Sequence, residues 1–93
     1  MALKKILDCS AAWCGPCKAL STTFDKVSNM EKYKDIDFEK VDIDTDEGAD
    51  VVEKFKIRSI PTLVLLDENG EELDKVFGNI QEDKLLETID KHH

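Results

Sequence analysis

Apolar positions fall along the chain in short strand-like runs separated by segments with helical spacing. LKKILDC, residues 3 to 9, closes on an apolar run of strand length; periodicity alone leaves a helical segment open, and we read it as the first strand. After WCGPCK the next sixteen residues lack Gly and Pro, and Leu20, Phe24, Val27 and Met30 recur at helical spacing, predicting a helix from Gly15 to Tyr33. Pro16 suits its first turn, where the missing N–H has no intrahelical partner. IDFEKVDI, residues 36 to 43, alternates as a second strand. TDEGADVVEKFK offers Thr45 or Asp46 as a cap ahead of Val51, Val52 and Phe55, a short second helix. IPTLVLLD, ending at Asp67, is the strongest strand, and Asn69-Gly70 turns it into LDKVFG as a hairpin. In NIQEDKLLETIDKH, Ile80, Leu85, Leu86 and Ile89 share one face behind a start signal at Asn79 or Gln81, giving a C-terminal helix.

The order βαβαββα implies an α/β class: a parallel crossover, then an antiparallel hairpin, with helices on both faces of one mixed sheet. Ninety-three residues suit a single domain over 1–93. No repeat, linker or low-complexity segment interrupts it. His92 and His93 read as a frayed tail or an expression remnant without a role.

Charge narrows the partners. Twenty-one acidic against 13 basic residues give a net charge of −8, which repels a phosphate backbone and makes nucleic acid an unsuitable ligand. The N-terminus lacks an apolar run of signal-peptide length, and no stretch is apolar enough to span a membrane, so a soluble cytoplasmic protein is expected. Three cysteines cannot all pair within the chain, and a reducing compartment fits them better than a secreted disulfide framework.

Cys9, Cys14 and Cys17 are spaced C-x4-C-x2-C, the opening of a plant-type iron–sulfur site. A cluster needs a fourth cysteine that the chain lacks, and zinc would have to draw on the distant tail histidines, so no metal and no bound cofactor is expected. Cys14 and Cys17, at i and i+3 on a first helical turn, share one face and can close a disulfide. Unpaired N–H groups and the helix dipole favour the Cys14 thiolate by about 0.3 to 2 kcal/mol; Cys17, a turn further in, gains less. Lowering a thiol pKa from 8.5 to 7 multiplies its thiolate fraction at pH 7 about sixteenfold, but reduced nucleophilicity takes back roughly fivefold. Moderate activation is therefore enough, and geometry matters more. Pro16 between the cysteines stiffens the loop and biases the pair toward its reduced form.

WCGPCK at 13–18, RSIPT at 58–62, VDID at 41–44 and the glycines Gly70 and Gly78 together resemble the thioredoxin family, over about residues 3 to 91. The resemblance implies a thioredoxin-like fold and a protein-disulfide reductase recycled by an upstream disulfide reductase, acting on disulfide-containing proteins as a monomer. By it, Cys14 is the attacking thiolate, Cys17 the resolving thiol, and Pro61 a cis-proline facing them, with the Ile60 backbone pairing with an extended substrate segment. Trp13, Gly15, Pro16, Ile60 and Gly78 form the contact surface. Asp8, six residues before Cys14, matches a buried carboxylate that exchanges a proton with the resolving cysteine, and Lys40 a lysine near it.

The chain also departs from that family. It starts at the strand carrying Asp8, without the usual extra strand and helix, so the sheet has four strands and residues 36–43 form an edge, blunted by Asp37 and Glu39. Cys9 and Ser10 replace the common aromatic pair after the Asp, and Thr22 replaces a kinking proline, which predicts a straighter helix. On the residues alone, Cys9 is a small buried hydrophobe or a third redox centre, Trp13 a core or a contact residue, and Lys40 a relay neighbour or a surface charge. A docking module on the same surface, or a disulfide oxidase or isomerase, are the alternative functions.

Overall fold

Strand β1 (Leu3–Ser10) runs through the interior of a four-stranded sheet of order β2-β1-β3-β4, with β2 at Asp37–Asp42, β3 at Thr62–Asp67 and β4 at Glu72–Phe77. The computed structural model describes residues 2–93. Helix α1 (Gly15–Ser28) carries the chain from β1 to its parallel neighbour β2, and α2 (Asp46–Lys54) leads to β3, which is antiparallel to β1. β3 and β4 form the antiparallel hairpin, and α3 (Glu82–His92) closes the chain. The expected α/β architecture, βαβαββα with three helices on a mixed sheet and β2 at an edge, is the observed one.

Strand alternation sends side chains into two apolar layers. Leu3, Ile6, Leu63 and Leu65 pack with Leu20, Phe24 and Val27 of α1 and Leu85 and Ile89 of α3. On the other face Leu7, Cys9, Val64 and Leu66 pack with Val41, Phe55 and Ile57, with Val51 and Val52 of α2 against them. Every residue of β3 is buried, which is why its sequence is a continuous apolar run rather than an alternation. Each fully buried Leu, Ile or Phe contributes about 1.5–3 kcal/mol of transfer free energy.

Several boundaries differ from expectation for local reasons. The helix predicted to Tyr33 stops at Ser28, because Ser28 Oγ (2.7 Å) and Asn29 Nδ2 (3.0 Å) both donate to the Asp25 carbonyl. The chain resumes as a 3-10 turn at Glu31–Tyr33, which buries Tyr33 and lets its hydroxyl donate to Asp90 Oδ1 at 2.6 Å. Beyond Thr22 α1 continues uninterrupted. Ile60 and Pro61 precede β3 rather than opening it, and Gly78 lies past β4 with φ +83°.

Thr45 caps α2, accepting from the Gly48 amide at 2.9 Å. Its end is unusual. Lys56 adopts φ +54°, and the amides of Lys56 and Ile57 donate to Glu53 (3.4 Å) and Val52 (2.9 Å), the paired bonds of a glycine-type helix stop made with a lysine. The histidine tail is not frayed. His92 closes α3 with Nε2 3.0 Å from Asp74, and His93 lies 3.0 Å from Asp35 with its ring 5.4 Å from that of Tyr33. Carboxylate partners and an aromatic contact hold residues that composition alone marked as loose. At the β2 edge, Lys5 Nζ reaches Glu39 (3.3 Å) and Asp37 (3.5 Å).

Candidate active site

β1 hands the chain to α1 through a tight turn in which the Cys14 amide donates to the Ala11 carbonyl at 3.1 Å. Cys14 is the N-cap of α1, in extended conformation, and its Sγ accepts from the Cys17 amide at 3.2 Å. A helix start leaves amides without intrahelical partners, and here a cysteine sulfur takes one of them. Cys14 and Cys17 are joined as a disulfide with Cα atoms 5.3 Å apart. Both are buried, while Gly15 and Pro16 stand exposed between them and Trp13 is 70% exposed beside them.

Ala11, Cys14 and Cys17 form a small apolar cluster against which Ile43 and Ile60 pack. The loop Arg58–Pro61 thus arrives at the dithiol from the far end of α2. The Ile60–Pro61 peptide bond is cis, Pro61 is buried, and its carbonyl accepts from the Gly78 amide at 2.9 Å. Ile60 thus packs against Cys14, 46 positions earlier in the chain, and the adjoining Pro61 is tied to Gly78. Trp13, Ile43, Val52, Ile57 and Ile60 line a groove of about 280 Å³ beside this cluster. A second depression, also about 280 Å³, opens between Ser10, Ala11, Ala12, Cys17 and Asp42.

Asp8 shares with Ile6 the sheet face that α1 covers. It is completely buried, and neither carboxyl oxygen has a hydrogen-bond partner among the described residues. Burial pushes its pKa up to about 6; the nearby Lys40 ammonium pulls it down and Asp25 pushes it up again. Lys40 stands opposite Asp8 in the β1/β2 register, but its ammonium is bound to Asp25 on α1 at 2.8 Å. Cys9, one position on, faces the other layer, fully buried, and burial with the neighbouring Asp8 charge pushes its thiol up to about 11. That is the behaviour of a small hydrophobe, not of a third redox thiol.

All the residues singled out from the sequence except Lys40 therefore gather along β1, the start of α1, the Ile60–Pro61 loop and the end of β4, and Lys40 flanks Asp8 with its charge turned away. Two neighbours escaped that reading. Asp44 accepts a 3.0 Å hydrogen bond from the Trp13 indole, and Asp25 holds Lys40. Asp25 lies eight residues past Cys17, just over two helical turns, so helical spacing was the one available signal. Among the described residues no three His, Cys, Asp or Glu side chains converge to hold a metal, and no helix is long and apolar enough to cross a membrane.

Comparison with known proteins agrees with this geometry. The thioredoxin family model matches residues 2–91. Thioredoxin Asp f 29 of Aspergillus fumigatus is 38% identical over 73 residues, covering 78% of this chain and 64% of that protein. The thioredoxin of Staphylococcus haemolyticus is 38% identical over 88 residues, 95% of this chain and 81% of its own length. The crystal structure of the thioredoxin NaTrxh from Nicotiana alata superposes with a TM-score of 0.82 at 36% identity, over all of this chain and 76% of that one. The chain belongs to the thioredoxin family of thiol–disulfide oxidoreductases.

Proposed function

We propose that this protein reduces disulfide bonds in other proteins, in a reducing compartment such as the cytoplasm, and is recycled by an upstream disulfide reductase. The observation that carries the reading is the Cys14–Cys17 pair at the start of α1 with the Ile60–Pro61 loop packed against it.

In the reduced protein the Cys14 thiolate attacks one sulfur of a substrate disulfide. A Cys14–substrate bond forms, the substrate S–S bond breaks, and the first substrate thiolate leaves. Cys17 then gives its proton to the Asp8 carboxylate, and its sulfur attacks Cys14 Sγ. The intramolecular disulfide forms, the second substrate thiolate leaves, and both leaving thiolates become thiols by taking up protons, one of them returned through Asp8. Two electrons pass from the protein to the substrate. Helix-start amides favour the first thiolate. With a pKa of about 6, Asp8 is mostly ionised at pH 7 yet closer to a thiol in basicity than an ordinary Asp.

The contact surface we assign is Trp13, Gly15, Pro16, Ile60 and Gly78, with Pro61 buried beneath it. Exposure of Trp13, Gly15 and Pro16 supports it, as does the bond from Gly78 to Pro61. An extended substrate segment adds to the Ile60 backbone as a short strand. Lys40 acts near Asp8 only through its charge.

The Cys17→Ser variant tests the reading. It should trap a disulfide-bonded substrate protein as a mixed disulfide through Cys14, released by added dithiol. Unchanged binding without a covalent adduct would favour a docking module. The potential of the Cys14/Cys17 couple tests the direction: a reductant sits near about −270 mV and an oxidase near about −120 mV.

A further inference from the structure

A buried carboxylate is ordinarily neutralised by pairing it with a nearby cation. Asp8 has such a cation within reach and does not use it. Lys40 is its direct partner in the β1/β2 register and projects on the same face, yet the Lys40 ammonium lies 2.8 Å from Asp25 Oδ1 and 3.0 Å from Oδ2. Both oxygens of Asp8 remain without partners among the described residues, in a fully buried position.

We infer that Asp25 is a positioning residue of the proton step: by anchoring the Lys40 ammonium on α1 it keeps the Asp8 carboxyl unpaired and able to take and return a proton near neutral pH. The inference rests on Asp8 being the proton carrier. Direct ion pairing with Lys40 would lower the Asp8 midpoint by about 1 to 3 pH units and leave a carboxylate too weakly basic to accept a thiol proton readily. Held on Asp25, the same ammonium acts from further off.

The groups that act on Asp8 are few. From β2 comes Lys40 and from α1 Asp25. Cys14, the N-cap of α1, and Cys17 within it carry no charge as a disulfide, β3 sets Leu63 opposite Asp8, and α3 brings Leu85 and Ile89 to that layer. On β1 the neighbouring Cys9 thiol stays protonated at neutral pH. The Lys40–Asp25 pair is half-exposed, so its own contribution to stability is small and both residues can be replaced without unfolding the domain.

The test is a carboxyl-carbon NMR titration of Asp8 in the oxidised protein, in the wild type, Asp25→Asn, Lys40→Met and the double variant. In Asp25→Asn the Asp8 midpoint should fall by about one pH unit or more as Lys40 turns inward. In the Lys40→Met background the same Asp25→Asn change should lose more than half of that effect. An unmoved midpoint in Asp25→Asn overturns the inference. So does an equal shift in both backgrounds, which would mean that Asp25 acts by its own field and positions nothing. The titration needs no turnover, so a protein that fails to trap substrate would sink the reductase reading while leaving this measurement legible.

Discussion

The indole Nε1 of Trp13 donates to the Asp44 carboxylate at 3.0 Å, tying the residue before Cys14 to the loop after β2. The bond fixes the pose of an exposed ring, and an exposed ring held still presents a flat contact face at little entropic cost.

Removing that tether should therefore act on binding more than on stability. Asp44→Ala is expected to change the fluorescence of the sole tryptophan and to raise KM for a protein substrate by about twofold to tenfold with kcat little altered. Unfolding free energy should stay within about 0.5 kcal/mol, as for other surface substitutions. A lost kcat with unchanged KM would place Trp13 in the chemistry rather than in recognition.

Asp8 makes stability fall as pH rises. Its pKa is about 6 in the folded protein against the ordinary 3.8, so between those values the folded state binds more protons than the unfolded chain. The effect amounts to about 3 kcal/mol, present in full below pH 4 and lost as pH passes 6. Asp90, held low by hydrogen bonds from Tyr33 and Lys32, and Asp35, held low by His93, titrate below that window and work in the opposite direction. Denaturant unfolding at pH 4.5 and 7.5 checks this: the wild type should weaken with pH across the interval, and Asp8→Asn should not.

The lysine at the end of α2 carries a backbone penalty that glycine would not. Lys56→Gly at φ +54° should raise stability by about 0.5–1 kcal/mol, measured by denaturant midpoint, with the Ile57-to-Val52 bond kept. A loss of stability would show that the Lys56 side chain contributes more than its backbone costs.

Thiol labelling should separate the three cysteines. After reduction at pH 8, an alkylating reagent should modify Cys14 first and leave Cys9 untouched until the protein is unfolded, because Cys9 is fully buried and its thiol is pushed up to about 11. Labelling of Cys9 in the folded state would return it to the list of redox centres.

Most of the fold was legible because β3 is a continuous apolar run, α1 repeats Leu20, Phe24 and Val27, and Asn69-Gly70 marks the hairpin. The dithiol and Pro61 were legible through their motifs. What escaped depends on geometry the pattern does not encode. The stop at Ser28 comes from two side chains competing for one carbonyl, and the stop at Lys56 uses no glycine. The ordered His92 and His93 depend on Asp74 and Asp35, which lie 18 and 58 residues away in sequence. Lys40 could be placed near Asp8 by register, but its choice of Asp25 is a tertiary contact between a strand and a helix.

One sulfur atom links the chemistry of this protein to the order of its longest helix. Cys14 Sγ is both the attacking atom we assign and the acceptor that closes the first turn of α1 on the Cys17 amide. A thiolate accepts more strongly than a disulfide sulfur. Exchange of the Cys17 amide proton with solvent should therefore slow on reduction and quicken on oxidation, so that a backbone amide one turn into the helix serves as a built-in gauge of how many electrons the domain holds.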